Sequence, residues 1–389
     1  MKITKIEGIP LSLPLPGAGE HKLNEVLVKI HTDEGFVGIA DSGECYPDGV
    51  QDTILIMLKT WEPLLIGADP FDIELIAAKL SRYLFNDMLQ VPPAVAVVDF
   101  ALWDLLGKIQ NKPVYQLLGG KANEKLMYNF FITGWLSKTT KEKVAEAERV
   151  VAGGCKSISI KAGPAWGNPD MVGDVANVRA VRKAIGDDIE LCVDTNGGYD
   201  YTSALELGRR LEEFNLGKYE QPVPYWDIEG LANLRNNLNI PICAHESSTN
   251  IHGLLEVIKK NAADMVGLKV CWAGGISQAV KWGHIATTAN LGVYCGGNNG
   301  QWEAAAQAHW FASDAAYSKL PHANLGPLFR YNTFDTTNVS IDDDIVKNPM
   351  KYKDGYFYPP DGPGLGLELN EKAVFKHITR GKAPITIVK

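Results

Sequence analysis

From about residue 127 onward, short apolar strand-like runs alternate with amphipathic helical stretches, and this alternation narrows the possible folds more than any other feature. The strand-like runs fall at 127–132, 157–161, 189–194, 218–220, 240–244, 265–270 and 292–295. Helical stretches lie between them, among them 141–151, 170–185, 203–214, 251–261 and 277–289. Strands and helices in strict alternation imply a parallel sheet. Six of the seven runs end at or beside a polar residue or a glycine: Lys161, Asp194, Glu220, Glu246, Lys269 and Gly296, at steps of roughly 23 to 33 residues. That step matches one βα unit of a barrel of about 250 residues and eight units. An open doubly wound sheet shares the alternation, but its GxGxxG fingerprint after the first strand is missing. Seven or eight repeated units favour a closed barrel.

The first 125 residues have a different order. Strand-like runs at 1–10 and 26–32 flank a Pro/Gly-rich loop, and helical patterns follow at 53–65, 71–84 and 94–109. Strands first and helices after read as an α+β capping domain, 1–125. The barrel then spans 126–355. The tail from about 356 to 389 is too rich in proline and glycine for another βα unit, and is expected to complete the capping domain.

Composition excludes several classes. Hydrophobic residues are 46% and charged residues 22%, a globular balance. The formal charge is −8 with no lysine/arginine block, so nucleic acid is not an expected partner. No run approaches the roughly 20 apolar residues of a membrane helix. The six cysteines form no CxxC pair, and the N-terminus reads as a strand rather than a signal peptide, so a cytoplasmic protein is expected.

In a β/α barrel the C-terminal strand ends face one shared site. Here three successive ends carry a carboxylate, in VDTNG, YEQP and AHESS. One such acid is as readily half of a structural ion pair as a ligand. Three buried together repel one another and lose hydration, which a divalent cation resolves. Oxygen ligands suit Mg²⁺. Lys161 and Lys269 end the second and sixth strands, on opposite sides of such a barrel, and bracket the acids. A single strand-end lysine is more often a snorkelling surface residue. Two around a metal site read as proton-transfer bases beside an enediolate.

These residues resemble the enolase superfamily, in particular its mandelate racemase/muconate-lactonizing-enzyme family. DFALWDLLGKIQNKPVYQLLGG resembles the helix joining cap to barrel. SIKAG, VDTNGGY, YEQPV, AHESS, LKVCWAGGI and DGPGLGLELN follow in family order. The resemblance implies a (β/α)7β modified TIM barrel behind the capping domain. It implies Asp194, Glu220 and Glu246 as ligands of Mg²⁺, with Mn²⁺ as a substitute. Asn196 then shapes the metal site, Lys161 and Lys269 are catalytic, and the molecule is a homo-oligomer, dimer or octamer. Three positions depart from the pattern. Ser159 replaces the first lysine of KxK. His245 stands where many relatives have aspartate, leaving open whether Glu246 or His245 completes the metal site. The seventh strand end, YCGGNNG, offers no histidine base.

Candidate substrate contacts are His21 in the loop after the first strand, Tyr46, Trp272 and Asn298. Trp302 and Trp310 fit a pocket wall or the core. The GGNNG stretch reads as a tight turn ahead of a phosphate cradle. The reaction expected is racemisation or epimerisation of an amino-acid-type carboxylate, proline- or betaine-like. Dehydration of a hydroxy acid or acid sugar and cycloisomerisation are alternatives, with a Schiff-base lyase behind them.

Overall fold

Apolar and polar residues alternate through the first strands, and the chain there pairs as a four-stranded antiparallel sheet. Three of its members are β1 (Ile3–Pro14), β2 (Lys22–Thr32) and β3 (Val37–Asp41), and the fourth comes from the C-terminus. The molecule is a computed structural model that describes residues 1–14, 22–43, 49–82, 92–132, 139–164, 170–296, 300–318, 324–325 and 344–388. Three helices cover the sheet: α1 (Val50–Thr60), α2 (Ile73–Arg82) and α3 (Pro92–Gln110).

Helix α3 ties the molecule together. Two prolines open it, where the missing N–H costs nothing. Asn111 closes it at φ 51°, a left-handed cap. It is buried on almost every side, so its two acids need internal partners. Asp104 accepts the backbone N–H of Ile39 in β3 and of Leu365 in the C-terminal segment, both at 2.8 Å. Lys108, one turn on, pairs with Asp104 and donates to the Val37 carbonyl. Asp99 reaches the other way and accepts from the backbone N–H and hydroxyl of Ser277. Burial pushes the Asp99 carboxyl up to about 7. Gly107 lets the C-terminal segment lie flat on the helix, since a Cβ there would stand 2.5 Å from the Gly364 Cα.

Eight parallel strands follow and close on themselves: β4 (Leu126–Ile132), β5 (Ser157–Lys161), β6 (Glu190–Asp194), β7 (Lys218–Glu220), β8 (Ile242–Ala244), β9 (Met265–Leu268), β10 (Gly292–Cys295) and β11 (Asn324–Leu325). The pairing of β11 with β4 completes the barrel. Helices α4 (Thr140–Ala152), α5 (Met171–Ile185), α6 (Tyr201–Leu211), α7 (Ile228–Asn237), α8 (Ile251–Lys259), α9 (Ile276–Thr288) and α10 (Gln301–Ser313) connect the strands. The two-residue period of each strand sorts its side chains. In β5 (SISIK), Ile158 and Ile160 join the core shared with the helices. Ser157 and Ser159 instead bond Asn129 of β4. A separate apolar cluster of Cys243, Met265 and Tyr294, flanked by Phe131, fills the barrel interior.

The tail divides. β12 (Lys351–Lys353) and β13 (Tyr356–Tyr358) form a hairpin against β4, so the return to the first sheet starts later than residue 356. β14 (Ile385–Val388) then pairs with β1.

A second tie joins sheet and barrel. Helix α10 begins at Gly300, which has no side chain to cap it. Asp41, at the end of β3, supplies the cap and accepts from the Trp302 and Glu303 amides at 2.9 and 3.0 Å. Asp41→Ala is therefore expected to cost about 2 kcal/mol, the upper range for a lost cap, read as a lower urea midpoint. Asp41→Asn keeps one acceptor and should cost less. No loss in the alanine variant would mean that the cap carries no stability.

Candidate active site

Five strand ends of the barrel bring the sequence-predicted residues together. Lys161, Asp194 and Glu220 are the last residues of β5, β6 and β7, and the register sets them side by side: Lys161 opposite Asp194, Asp194 opposite Glu220. Glu246 lies two residues past β8, and Lys269 directly follows β9. Strands β5 and β9 are four apart in the ring of eight, so the two lysines stand across the barrel from each other.

Asn196 links the acids. Its left-handed backbone, at φ 45°, turns the chain back over the strand end. Its amide N–H donates to Asp194 Oδ1 at 2.8 Å and its Nδ2 to Glu246 Oε1 at 2.7 Å. Lys161 Nζ donates to Asp194 Oδ2, and to Asn196 Oδ1 at 2.9 Å. Ser159, one strand period below Lys161, is fully buried and donates to Asn129 Oδ1. The short hydroxyl thus belongs to a polar network in the barrel floor.

The electrostatics show how crowded the acids are. Burial, then the charge of Glu220, pushes Asp194 up to about 7, against the opposing pull of Lys161. Burial alone would raise Glu220 too. The Lys218 ammonium outweighs it, with help from His245, and holds Glu220 well below the ordinary carboxylate range. Lys218 was not singled out in the sequence, although KYE places it on the same strand face as Glu220. It is fully buried, 2.5 Å from Glu220 Oε2.

His245 Nδ1 lies 2.9 Å from Glu220 Oε1 without hydrogen-bond geometry, and 3.9 Å from Glu246 Oε2. Its ring packs edge-on to Tyr294. Gly267 makes room for both rings: a Cβ there would meet each at 2.7 Å.

Among the described residues no group of three or more His, Cys, Asp or Glu side chains stands ready-arranged around a metal. Nitrogen donors engage the carboxylates instead: Lys161 on Asp194, Lys218 on Glu220, Asn196 on Glu246. The residues nonetheless fit a hard divalent cation. Glu246 Oε2 is buried with no hydrogen-bond partner among the described residues. The Asp194 carboxyl is raised by burial and then by the neighbouring charge of Glu220, and all three acids offer oxygen.

Lys269 Nζ lies 5.0 Å from the Trp272 ring, and Trp272 remains 42% exposed beside it. Trp302 and Trp310 are fully buried and belong to the core. The other substrate candidates, His21, Tyr46 and Asn298, lie outside the described residues, as does most of GGNNG. Glu303 went unnoticed in the sequence. It is fully buried, feels the charges of Asp41 and Lys269, and burial pushes it up to about 8.

Two family profiles span the chain. "Mandelate racemase / muconate lactonizing enzyme, N-terminal domain" matches residues 9–119, and "Enolase C-terminal domain-like" matches 142–373. The chain belongs to the mandelate racemase/muconate lactonizing enzyme family of the enolase superfamily. It is 32% identical to an N-succinyl-L-Arg/Lys racemase of Bacillus cereus, over 98% of this chain and 100% of that one. It is 30% identical to an arabinonate dehydratase of Saccharolobus solfataricus, over 92% of each. A family protein of Azoarcus sp. EbN1 superposes over the full length of both chains, at 39% identity and a TM-score of 0.86. The B. cereus racemase superposes with a TM-score of 0.85 at 27% identity, again over both full chains. The family fold of an α+β domain and an α/β barrel is the one found here. Relatives in this family are racemases, dehydratases and cycloisomerases, and the chain is an enzyme of this kind. Enolase-superfamily members generally use Mg²⁺ and act on small carboxylates. Among the described residues no helix is long and apolar enough to cross a membrane.

Proposed function

We propose that this enzyme removes the proton alpha to the carboxylate of a small amino-acid-type acid, proline- or betaine-like, and returns it on the opposite face as a racemase or epimerase. The observation that carries this reading is the pair of lysines on opposite strands, β5 and β9, with acids on the three strands between. Asp194, Glu220 and Glu246 would hold Mg²⁺, for which Mn²⁺ can substitute, and Asn196 would fix the carboxylates of the first and third. When bound, the cation stabilises the negative charge that builds on the substrate carboxylate as the α-proton leaves. His245 packs against Tyr294 and beside Glu220, and Glu246 would serve as the third acid.

Each lysine has one task on this reading. One faces the α-proton and accepts it at Nζ; the other, as an ammonium, delivers a proton to the opposite face. Trp272 would form an apolar wall beside Lys269, suited to a ring or a quaternary ammonium. We read residues 1–125 with the C-terminal return as the cap, and 126–355 as the catalytic barrel. The five described cysteines are buried thiols, in keeping with a reducing, cytoplasmic setting, and the molecule would be a homo-oligomer, dimer or octamer.

Dehydration is the second reading, favoured by the arabinonate dehydratase likeness. Product analysis by NMR with Mg²⁺, on proline derivatives, betaines, N-acylated amino acids, dipeptides and acid sugars, separates the two. An inverted α-centre is the expected product. A vinylic or keto product would make the enzyme a dehydratase. A borohydride-trapped lysine adduct that forms despite EDTA would replace both readings with Schiff-base chemistry.

A further inference from the structure

Among the described residues Lys218 is the lysine fully buried inside the barrel beneath the acids, and nothing in the proposed proton transfer uses it. It precedes Glu220 by two residues, so strand alternation sends both side chains inward. Its Nζ lies 2.5 Å from Glu220 Oε2 and 3.2 Å from the centre of the Tyr294 ring. The Tyr294 hydroxyl donates to the other oxygen, Glu220 Oε1, at 3.3 Å. Lysine, glutamate and tyrosine are all fully buried. An ammonium is so costly to bury that it persists only with its charge matched and its geometry fixed. A lysine in the floor of a site meant for a cation has a definite consequence. It opposes the cation through a low-dielectric medium, where such repulsion is strong.

We infer that Lys218 is a built-in counter-charge to Glu220, a positioning residue that holds this carboxylate in place and loosens the grip of the acid cluster on its divalent cation. The inference rests on the metal-site reading of Asp194, Glu220 and Glu246. With Lys218 present, Glu220 is already matched before the cation arrives. Without it, the cation becomes the partner of a buried acid that otherwise has no opposing charge on its own strand. The chain thereby gives up affinity for the cation in return for a site assembled in advance.

The test compares wild type with Lys218→Gln, which retains a donor toward Glu220 but no charge, and with Lys218→Met, which retains neither. Tm is measured across a MgCl₂ titration without substrate, after EDTA treatment and dialysis. Wild type is expected to gain Tm on adding Mg²⁺. Both variants should start from a lower Tm, gain more than wild type, and bind Mg²⁺ at least about tenfold more tightly. A lower starting Tm with the wild-type gain and wild-type affinity would reduce Lys218 to a structural residue and overturn the inference. Should Lys218→Met fail to fold, Lys218→Gln decides on the same criterion. No Mg²⁺-dependent gain in wild type itself would instead remove the metal-site reading, and the inference with it.

Discussion

Lys161→Ala and Lys269→Ala are each expected to lower turnover by about 10²–10⁴-fold, the usual contribution of a positioned acid or base. Their stereochemistry should differ in mirror fashion. The lysines stand on strands four apart in the ring, so each addresses one face of a substrate held between them. Lys161→Ala should still exchange the α-proton of the enantiomer facing Lys269, with retained configuration. Lys269→Ala should do the same for the other enantiomer. Exchange into D₂O, followed separately for each enantiomer, reads this directly. Equal exchange of both enantiomers by both variants would break the assignment of one lysine per face. The lysines differ in surroundings as well. Lys161 is held by Asp194 and Asn196, whereas Lys269 borders the exposed Trp272. On these contacts Lys161→Ala should also disturb the metal site, and Lys269→Ala should leave Mg²⁺ affinity near wild type.

The second large effect is on stability. Glu303 is fully buried, and burial, reinforced by the charge of Asp41 and opposed by Cys271 and the charge of Lys269, raises it to about 8. Its folded value thus exceeds the ordinary 4.5 of a glutamate. Such a group favours the folded state fully below about 4.5, and this contribution is lost as pH rises through about 8. A shift of that size corresponds to roughly 5 kcal/mol across the window. Glu303→Gln cannot ionise and should escape the loss. Urea unfolding is expected to show similar midpoints for wild type and variant near pH 5, and a clearly higher midpoint for the variant near pH 9. Asp99, also raised, adds a background slope common to both proteins. Parallel pH dependence in the two would mean that Glu303 is not the group responsible.

Much of the architecture was legible because a βα repeat writes the same pattern many times. Strand ends at Lys161, Asp194 and Glu220 fell where the sequence put them, and each barrel helix read in the sequence was found within a few residues. β3 was missed because five residues, one turn from β2, give too short a period to separate. The tail was read as returning from residue 356, yet Tyr356–Tyr358 pairs with β4, a long-range contact with no local signal. The site was legible where side chains sit at strand ends and hidden where they sit below them. Lys218 lies one period down, and Glu303 enters from a helix. Alternation along KYE held the signal for the first. For Glu303 nothing did, since a glutamate in the first turn of a helix is ordinarily exposed.

The central claim is proton abstraction beside a carboxylate, supported by a divalent cation in the Asp194, Glu220 and Glu246 cluster. Incubation of racemic proline-type and N-acylated amino acids in D₂O, with Mg²⁺ or with EDTA, tests it in one NMR measurement. Loss of the α-proton signal with Mg²⁺, its persistence with EDTA, and recovery of exchange on restoring Mg²⁺ are expected. Exchange that continues undiminished after EDTA treatment would contradict the claim, because the acids would then have no cation-dependent part in the chemistry.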